Sequence, residues 1–488
     1  MKLTTALFAN LICLPLVAQR DYRLVEDRNP WLTSGNAAAL VTLADSTIAH
    51  GTVYYQHDGG SLRTTSQGKR QNTYGADVRS YCRLSEDAVV YGSMTYANST
   101  GTQMAGSMFH PTTELMPFDI VEYGDGTAGS KQGETFSIAG AIGWDATRDI
   151  AIGARVDFMA GDYAKHRDLR HSNTMMDLSA RATILYRPWG IGAGVTYRRS
   201  TETVTFKTYG TTDQVYKTLI DYANGIGEVE TFGGDGFTDS SREMPLFSEY
   251  VGATAQWGWR RLLIDAAWQH RTGYYGKQSQ YTVSRSQHRG DLFSAHIRYD
   301  MAKAAGQLWW IDMALATEDL TTHRSNYRRR TAQDNASLTY YEYYEPTKMS
   351  DKTQTEAAIA VSGYWKPAGE IYLWHLNGGM DLWHGRQTAY MYPEMVTAKR
   401  HTLSPFITLR RGMLFHDTSL LTAQAGYAMT FGSAEQLAAH AKVSYEIPLR
   451  STAIRPALSI RYDYRTATGG DMKGTARHTI MVAAEATF

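Results

Sequence analysis

The segment Asp291-Leu292-Phe293-Ser294-Ala295-His296-Ile297-Arg298-Tyr299-Asp300-Met301 changes character at every step. In an extended chain successive side chains point to opposite faces. Phe293, Ala295, Ile297 and Tyr299 therefore fall on one face, and Ser294, His296, Arg298 and Asp300 on the other. One face suits hydrocarbon and the other suits water, which is the alternation of a strand in the wall of a membrane barrel. Two later segments repeat it. Leu437, Ala439, Ala441, Val443, Tyr445 and Ile447 oppose His440, Lys442, Ser444 and Glu446. Leu458, Ile460, Tyr462 and Tyr464 oppose Arg455, Ser459, Arg461, Asp463 and Arg465. Both charge signs share the inner face, so a hydrated lumen is expected, lined by His296, Arg298, Asp300, His440, Lys442, Glu446, Arg461, Asp463 and Arg465.

From residue 49 onward the chain is a succession of such segments, each about 10 residues long and about 18 in all (range 16–20), an even count as single-chain barrels require. The linkers alternate in length. Residues 145–149, 187–190, 258–261 and 366–370 are turn-sized, whereas 99–133, 205–246 and 319–353 are long, polar and rich in Gly. Only 432–435 is short where the alternation asks for length. Short periplasmic turns on one rim and long extracellular loops on the other produce this parity, and a soluble sandwich has no reason to keep it. The expected fold is all-β, a transmembrane antiparallel β-barrel over residues 49–488 with no internal domain boundary. Trp144, Trp189, Trp257, Trp259, Trp365 and Trp383 fall near strand ends in this register, as an aromatic girdle at the membrane interfaces would.

Composition agrees. Among 488 residues are 32 Tyr, 14 Phe and 11 Trp with 43 Gly and only 12 Pro, a mixture suited to strands and tight turns. No apolar run reaches the roughly 20 residues of a membrane helix. The 49 basic and 48 acidic residues nearly cancel, so no nucleic-acid partner is expected. Two Cys exclude a disulfide scaffold or a cysteine-ligated zinc site. Lys2, the mostly apolar stretch 3–17 and Ala18 have the form of a secretory signal peptide, residues 1–18. Its removal leaves Cys82 as the only thiol, and Ile12 before Cys13 does not fit a lipoprotein signal. Residues 19–48 are expected as an N-terminal periplasmic or lumenal segment. Export and barrel form together point to the bacterial outer membrane, with lipid, lipopolysaccharide and the barrel assembly machinery as partners.

The final ten residues, Thr479 to Phe488, alternate and end in an aromatic ring. This resembles the terminal signal by which outer-membrane barrels are recognised for insertion, and implies Phe488 as an assembly signal. The chain after residue 18, with Asn29-Pro30-Trp31 followed by Gly35-Asn36-Ala37-Ala38, resembles an uncharacterised family of bacterial outer-membrane barrels, a likeness that implies the fold and little more. Asn29-Pro30 also resembles the short Asn-Pro-Ala hatch of long-chain fatty-acid transporter barrels, although Trp31 replaces the Ala. Residues 19–48 are too few for the globular plug of a TonB-dependent transporter.

The histidines show no metal-ligand spacing, Gly-x-Ser-x-Gly is absent, and no Ser, His and acid grouping stands out. No enzyme, metal or cofactor is expected. The most distinctive surface stretch joins Arg328-Arg329-Arg330 to Tyr340, Tyr341, Tyr343 and Tyr344. Such rings stack on sugars or anchor a partner, and Arg pairs with carboxylate or phosphate. The plainer reading is a hairpin above the membrane whose tyrosines pack on one another. The leading expectation is a polar channel or loop-gated pathway for a small hydrophilic solute. An accessory or surface-binding barrel, whose loops hold a ligand or another outer-membrane transporter, stands second. A transporter of hydrophobic compounds stands third.

Overall fold

A computed structural model of the chain describes residues 22–488 apart from 45–46, 124–126, 208–215, 233–243, 277–283, 302–305, 332–338, 369–370, 417–418 and 450–453. The expected signal peptide lies outside the described residues.

Eighteen antiparallel strands form one sheet. The strand Thr47–Gly60 pairs with Arg70–Arg83 on one side and Ala476–Thr487 on the other, so that Thr52 faces both Asp77 and Glu485. The sheet thereby closes on itself. Closure satisfies every ladder within the wall, which is what a bilayer without hydrogen-bonding water demands. Side chains then sort by parity: Leu458 and Ile460 are 65% and 58% exposed on the outer surface, while Ser459 between them is 2% exposed. No helix among the described residues is long and apolar enough to cross a membrane. The protein is an 18-stranded transmembrane antiparallel β-barrel.

One rim carries tight connections. After the strand Arg170–Tyr186, the single 3-10 turn Arg187–Trp189 ends at Gly190, whose φ of 61° is left-handed and whose missing Cβ would stand 2.0 Å from the Gly258 carbonyl oxygen. The other rim is built up. Most of the described residues of 319–353, expected as a loop, are paired: Gln307–Thr331 and Thr339–Ala368 run 25 and 30 residues, matching Asp319 to Thr353 and continuing, with two shifts of register, to Thr331 opposite Thr339. The Thr and Tyr content of this stretch favours strand wherever it stands, so pairing continues past the bilayer although the sequence turns polar. The short gap at 432–435 is matched by another tall pair, Ile371–Met391 and Glu394–Leu414, turning at 392–393. Height on this rim is supplied by strands as well as by loops.

The stretches 99–133 and 205–246 also differ from plain loops. Asp119–Tyr123, Tyr216–Ala223 and Ile226–Phe232 form a separate three-stranded sheet. Beneath it Met108, Phe109, Phe118, Ile120, Ile220 and Tyr222 pack with Leu246 and Tyr275 of the wall.

Four of the six tryptophans placed in the girdle, Trp144, Trp189, Trp257 and Trp259, are 42–68% exposed. Trp365 stacks between Trp309 and Trp374 at 5.7 and 5.8 Å. Trp383 is the exception. Leu382 and its partner Leu403 lie on the outer surface, and the next residue along, Trp383, pairs with Glu356 and Thr402 on the lumenal side. A one-residue difference in register reverses the face.

Candidate solute path through the barrel

The N-terminal segment lies inside the wall. Its helix Tyr22–Arg28 and 3-10 turn Ala37–Thr42 bury apolar residues against the short-turn end: Tyr22, Val25, Leu40 and Leu43 with Ile48, Tyr81 and Val89. Close approach depends on Gly153, where a Cβ would stand 2.2 Å from the Ala38 nitrogen. Polar groups then fix the position. Asn36, 2% exposed, accepts from the Ala38 N–H at 2.9 Å and donates to the Ile184 carbonyl at 2.9 Å and to Gln256 Oε1 at 3.1 Å. Asp265 accepts from the Gly35 N–H at 2.7 Å, and Arg181 donates to the Gly35 carbonyl at 2.8 Å. Asn29 donates to the Thr42 carbonyl and hydroxyl at 3.0 and 2.9 Å and accepts from the Trp31 N–H, which folds Pro30 and Trp31 into a compact turn. In the helix, Tyr81 donates to Glu26 at 2.9 Å and Tyr364 to Asp27 at 2.7 Å. Burial pushes the Glu26 carboxyl above its ordinary value.

From the opposite rim, residues 105–118 fold inward. Their apolar side chains Met108, Phe109, Leu115 and Phe118 are 0–6% exposed, and a row of wall groups holds the backbone. Glu202 accepts from the His110 N–H at 2.8 Å, and Asn173 donates to the Met108 carbonyl at 2.7 Å. Glu318 accepts from the Leu115 N–H at 3.0 Å, Arg271 donates to the Leu115 carbonyl at 2.7 Å, and Lys352 donates to the Met116 carbonyl at 2.7 Å. Between these attachments Glu114 takes Arg198 at 2.6 Å and the Tyr250 hydroxyl at 3.0 Å. The segment thus bridges two sectors of the wall. Where it continues into the small sheet, Glu122 is ion-paired to Lys131 and Lys165, all three 0–2% exposed, and Lys131 also donates to the Ser107 carbonyl at 2.7 Å. Buried charges persist only when so paired.

Among the described residues, two regions of the lumen are lined as open cavities. The first is a recess of about 640 Å³ that starts at Gly35 and runs along Asp265, His296, Glu356, Asp381 and Trp383. It shares Ala267, Gln269, Ser294, Ala316 and Glu356 with a cavity of about 320 Å³ that reaches Thr113 and Glu114 of the inward segment. The second follows the strands Gln436–Glu446, Arg455–Ala467 and Ala476–Thr487. Along it, Lys442, Glu446, Arg455 and Glu485 border a cavity of about 550 Å³ beside the N-terminal helix, and His440, Arg461, Asp463 and Arg465 border one of about 400 Å³.

The residues singled out in the sequence divide among these regions. Lys442 donates to Glu485 at 2.8 Å, Arg455 approaches Glu446 at 3.4 Å, Arg461 grips Asp463 at 2.7–3.0 Å, and His440 meets Gln424 at 3.2 Å. His296 faces Asp312 at 3.2 Å. Arg298 bonds Asp300 at 3.0 Å and donates to the Asp27 carbonyl, tying wall to helix. Arg328, Arg329 and Arg330 stand opposite Glu342, Tyr341 and Tyr340 in the tall hairpin; Arg330 donates to Glu342 at 2.8 Å and so does Tyr344 at 2.9 Å. Tyr327 packs on Tyr341 and Tyr343 at 5.6 and 6.0 Å, so these rings are spent largely on one another. Phe488 exchanges backbone hydrogen bonds with Ala49 at the closing seam, 2.9 and 3.3 Å. Glu114, Arg198, Arg271 and Glu318 are not singled out in the sequence, where Trp383 is assigned to the girdle. A usable signal existed in Met108, Phe109, Leu115, Met116 and Phe118, apolar residues in a stretch read as a solvated loop.

A family model described as a family of unknown function (DUF6850) matches residues 37–488. No curated protein matches the chain. Among solved structures, the ferric preacinetobactin receptor BauA from Acinetobacter baumannii aligns over 91% of this chain and 80% of its own, at 11% identity and a TM-score of 0.44. The outer membrane transporter YddB from Escherichia coli aligns over 91% and 81%, at 6% identity and a TM-score of 0.40. A FadL homologue of Pseudomonas aeruginosa aligns over 93% and 92%, at 11% identity and a TM-score of 0.32.

Proposed function

Since the chain belongs to the family of unknown function DUF6850, matched over residues 37–488, its role must come from its own lumen, and we propose a gated path for a small hydrophilic solute across the bacterial outer membrane. The observation that carries this reading is the second open region. Lys442, Glu485, Arg455, Glu446, Arg461 and Asp463 line it in pairs of opposite sign, so a solute entering it exchanges water for hydrogen bonds from either charge type. The inward segment 105–118 acts as the gate, and the N-terminal segment narrows the other end. In this proposal the built-up rim faces outward among lipid and lipopolysaccharide, the signal peptide exports the chain, and the assembly machinery reads Phe488.

The test is single-channel conductance in planar bilayers, comparing the full chain with a variant in which residues 109–117 are replaced by a short Gly-Ser linker. Small or intermittent steps are expected from the parent and larger, steadier ones from the variant. Silence from both would overturn the path. A second reading, a surface-binding barrel, draws on the tall hairpin, where Tyr340 and Tyr344 are 49% and 47% exposed.

A further inference from the structure

We infer that the recess beside Trp383 is a binding site for a small organic cation, a protonated amine or guanidinium, held between the two closures of the lumen. The inference rests on the reading of the lumen as a solute path and names what that path takes.

Trp383 stands on the lumenal face directly opposite Glu356, and Asp381 lies two residues back on the same face. Cross-strand partners and i, i+2 neighbours place the Cβ atoms of both acids about 5–7 Å from that of Trp383. Glu356 receives one hydrogen bond, from Gln354 at 3.2 Å, and no ion pair among the described residues; Asp381 has neither. The remaining charges of the recess are already committed: Arg181 and Asp265 both hold Gly35. Two negative charges beside an aromatic face are thus left without a counter-charge.

The Thr254 hydroxyl and the Gln269 amide oxygen on the same wall have no partner among the described residues but are enclosed, so what the recess itself offers is the carboxylate pair beside the indole. The complement is a group with several N–H donors and a positive charge, which also favours the indole face. Size agrees, because about 640 Å³ suits a molecule of small-metabolite dimensions. The floor is Gly35 of the N-terminal segment, and the contiguous cavity reaches Thr113 and Glu114 of the inward segment. A cation bound there touches both closures. An uncharged sugar would stack on Trp383 equally well but would leave both carboxylates uncompensated.

The experiment is titration calorimetry on the purified full chain in detergent, with agmatine and glucosamine as cationic probes and glucose as the neutral counterpart of glucosamine. Both cations are expected to bind at least tenfold more tightly than glucose and to weaken as salt rises. Glu356→Gln with Asp381→Asn should cost the cations tenfold or more and leave glucose unchanged; Trp383→Leu should weaken all three. Asp149→Asn, in the exposed turn 145–149 and away from the lumen, should leave binding intact. Retained heat-modifiable mobility in gels shows that each variant is folded. Equal binding of glucose and glucosamine, or no binding of either cation to the folded parent, overturns the inference. Binding in a protein that never conducts would sink the path and leave the site, and conductance without binding would do the reverse.

Discussion

Glu114 Oε1 lies 2.6 Å from Arg198 Nη1, and this contact joins the inward segment to a wall strand 84 residues further along the chain. Arg198 is gripped at the same time by Asp177, at 2.6–3.0 Å. Burial pushes the Glu114 carboxyl up, but Arg198, Arg271 and the Tyr250 hydroxyl outweigh it and hold the group below its ordinary value. The charged form is therefore the one that latches the segment.

Glu114→Gln should release the latch without orphaning Arg198, which keeps Asp177. A charge-assisted hydrogen bond is worth about 1.5–3 kcal/mol, so the open fraction should rise roughly tenfold or more. Single-channel open probability is the measurement, and an unchanged value would show that the attachments through Asn173, Glu202, Arg271, Glu318 and Lys352 hold the segment without Glu114.

Asp119, in the small sheet above the lumen, gives a pH dependence. Burial, reinforced by Asp221 and opposed by the hydrogen bond from Ser107, raises its pKa from 3.8 to about 6. A carboxyl raised on folding contributes stability that is complete below its unfolded pKa and is lost as pH rises through the folded one. Asp119→Asn should therefore melt above the parent at pH 8 and close to it at pH 4. Melting curves at the two pH values decide the matter, and a pH-independent difference would contradict it.

Arg461 and Arg465 border the second open region, and changing both to Glu alters its charge by four units without touching the lipid face. Reversal potential in a salt gradient should shift towards cations. Conductance with unchanged selectivity would place the constriction elsewhere.

Orientation is open to labelling. In a Cys82→Ser background, Met472→Cys on the built-up rim should react with a membrane-impermeant maleimide on intact cells, and Arg148→Cys on the short-turn rim only after lysis. The opposite pattern would invert the barrel.

How much of this the sequence discloses depends on the range of the information. Alternation is local, so the segment 291–301 already separates Phe293 and Tyr299, both exposed on the outer surface, from His296 in the recess. Strand number follows from counting such segments. Trp383 was misplaced because facing depends on parity, and nothing in Leu382-Trp383-His384 marks which of two bulky apolar neighbours turns inward. The tall hairpin was read as a loop because polarity reports where the bilayer stops, and pairing need not stop there. Least legible are the two segments inside the wall: Leu115 meets Glu318 across 203 residues and Asn36 meets Gln256 across 220, separations at which no spacing rule operates.

The anchors named for the N-terminal segment, from Tyr81 through Arg181, Gln256, Asp265 and Arg298 to Tyr364, belong to the part of the wall before residue 365. The wall from Leu420 to Thr487 borders the open side instead. None of the named anchors lies on those four strands. On the proposed path, grafting them from a related sequence should change which solutes pass while the N-terminal segment keeps its anchors, so variation between relatives should concentrate there on inward-facing positions.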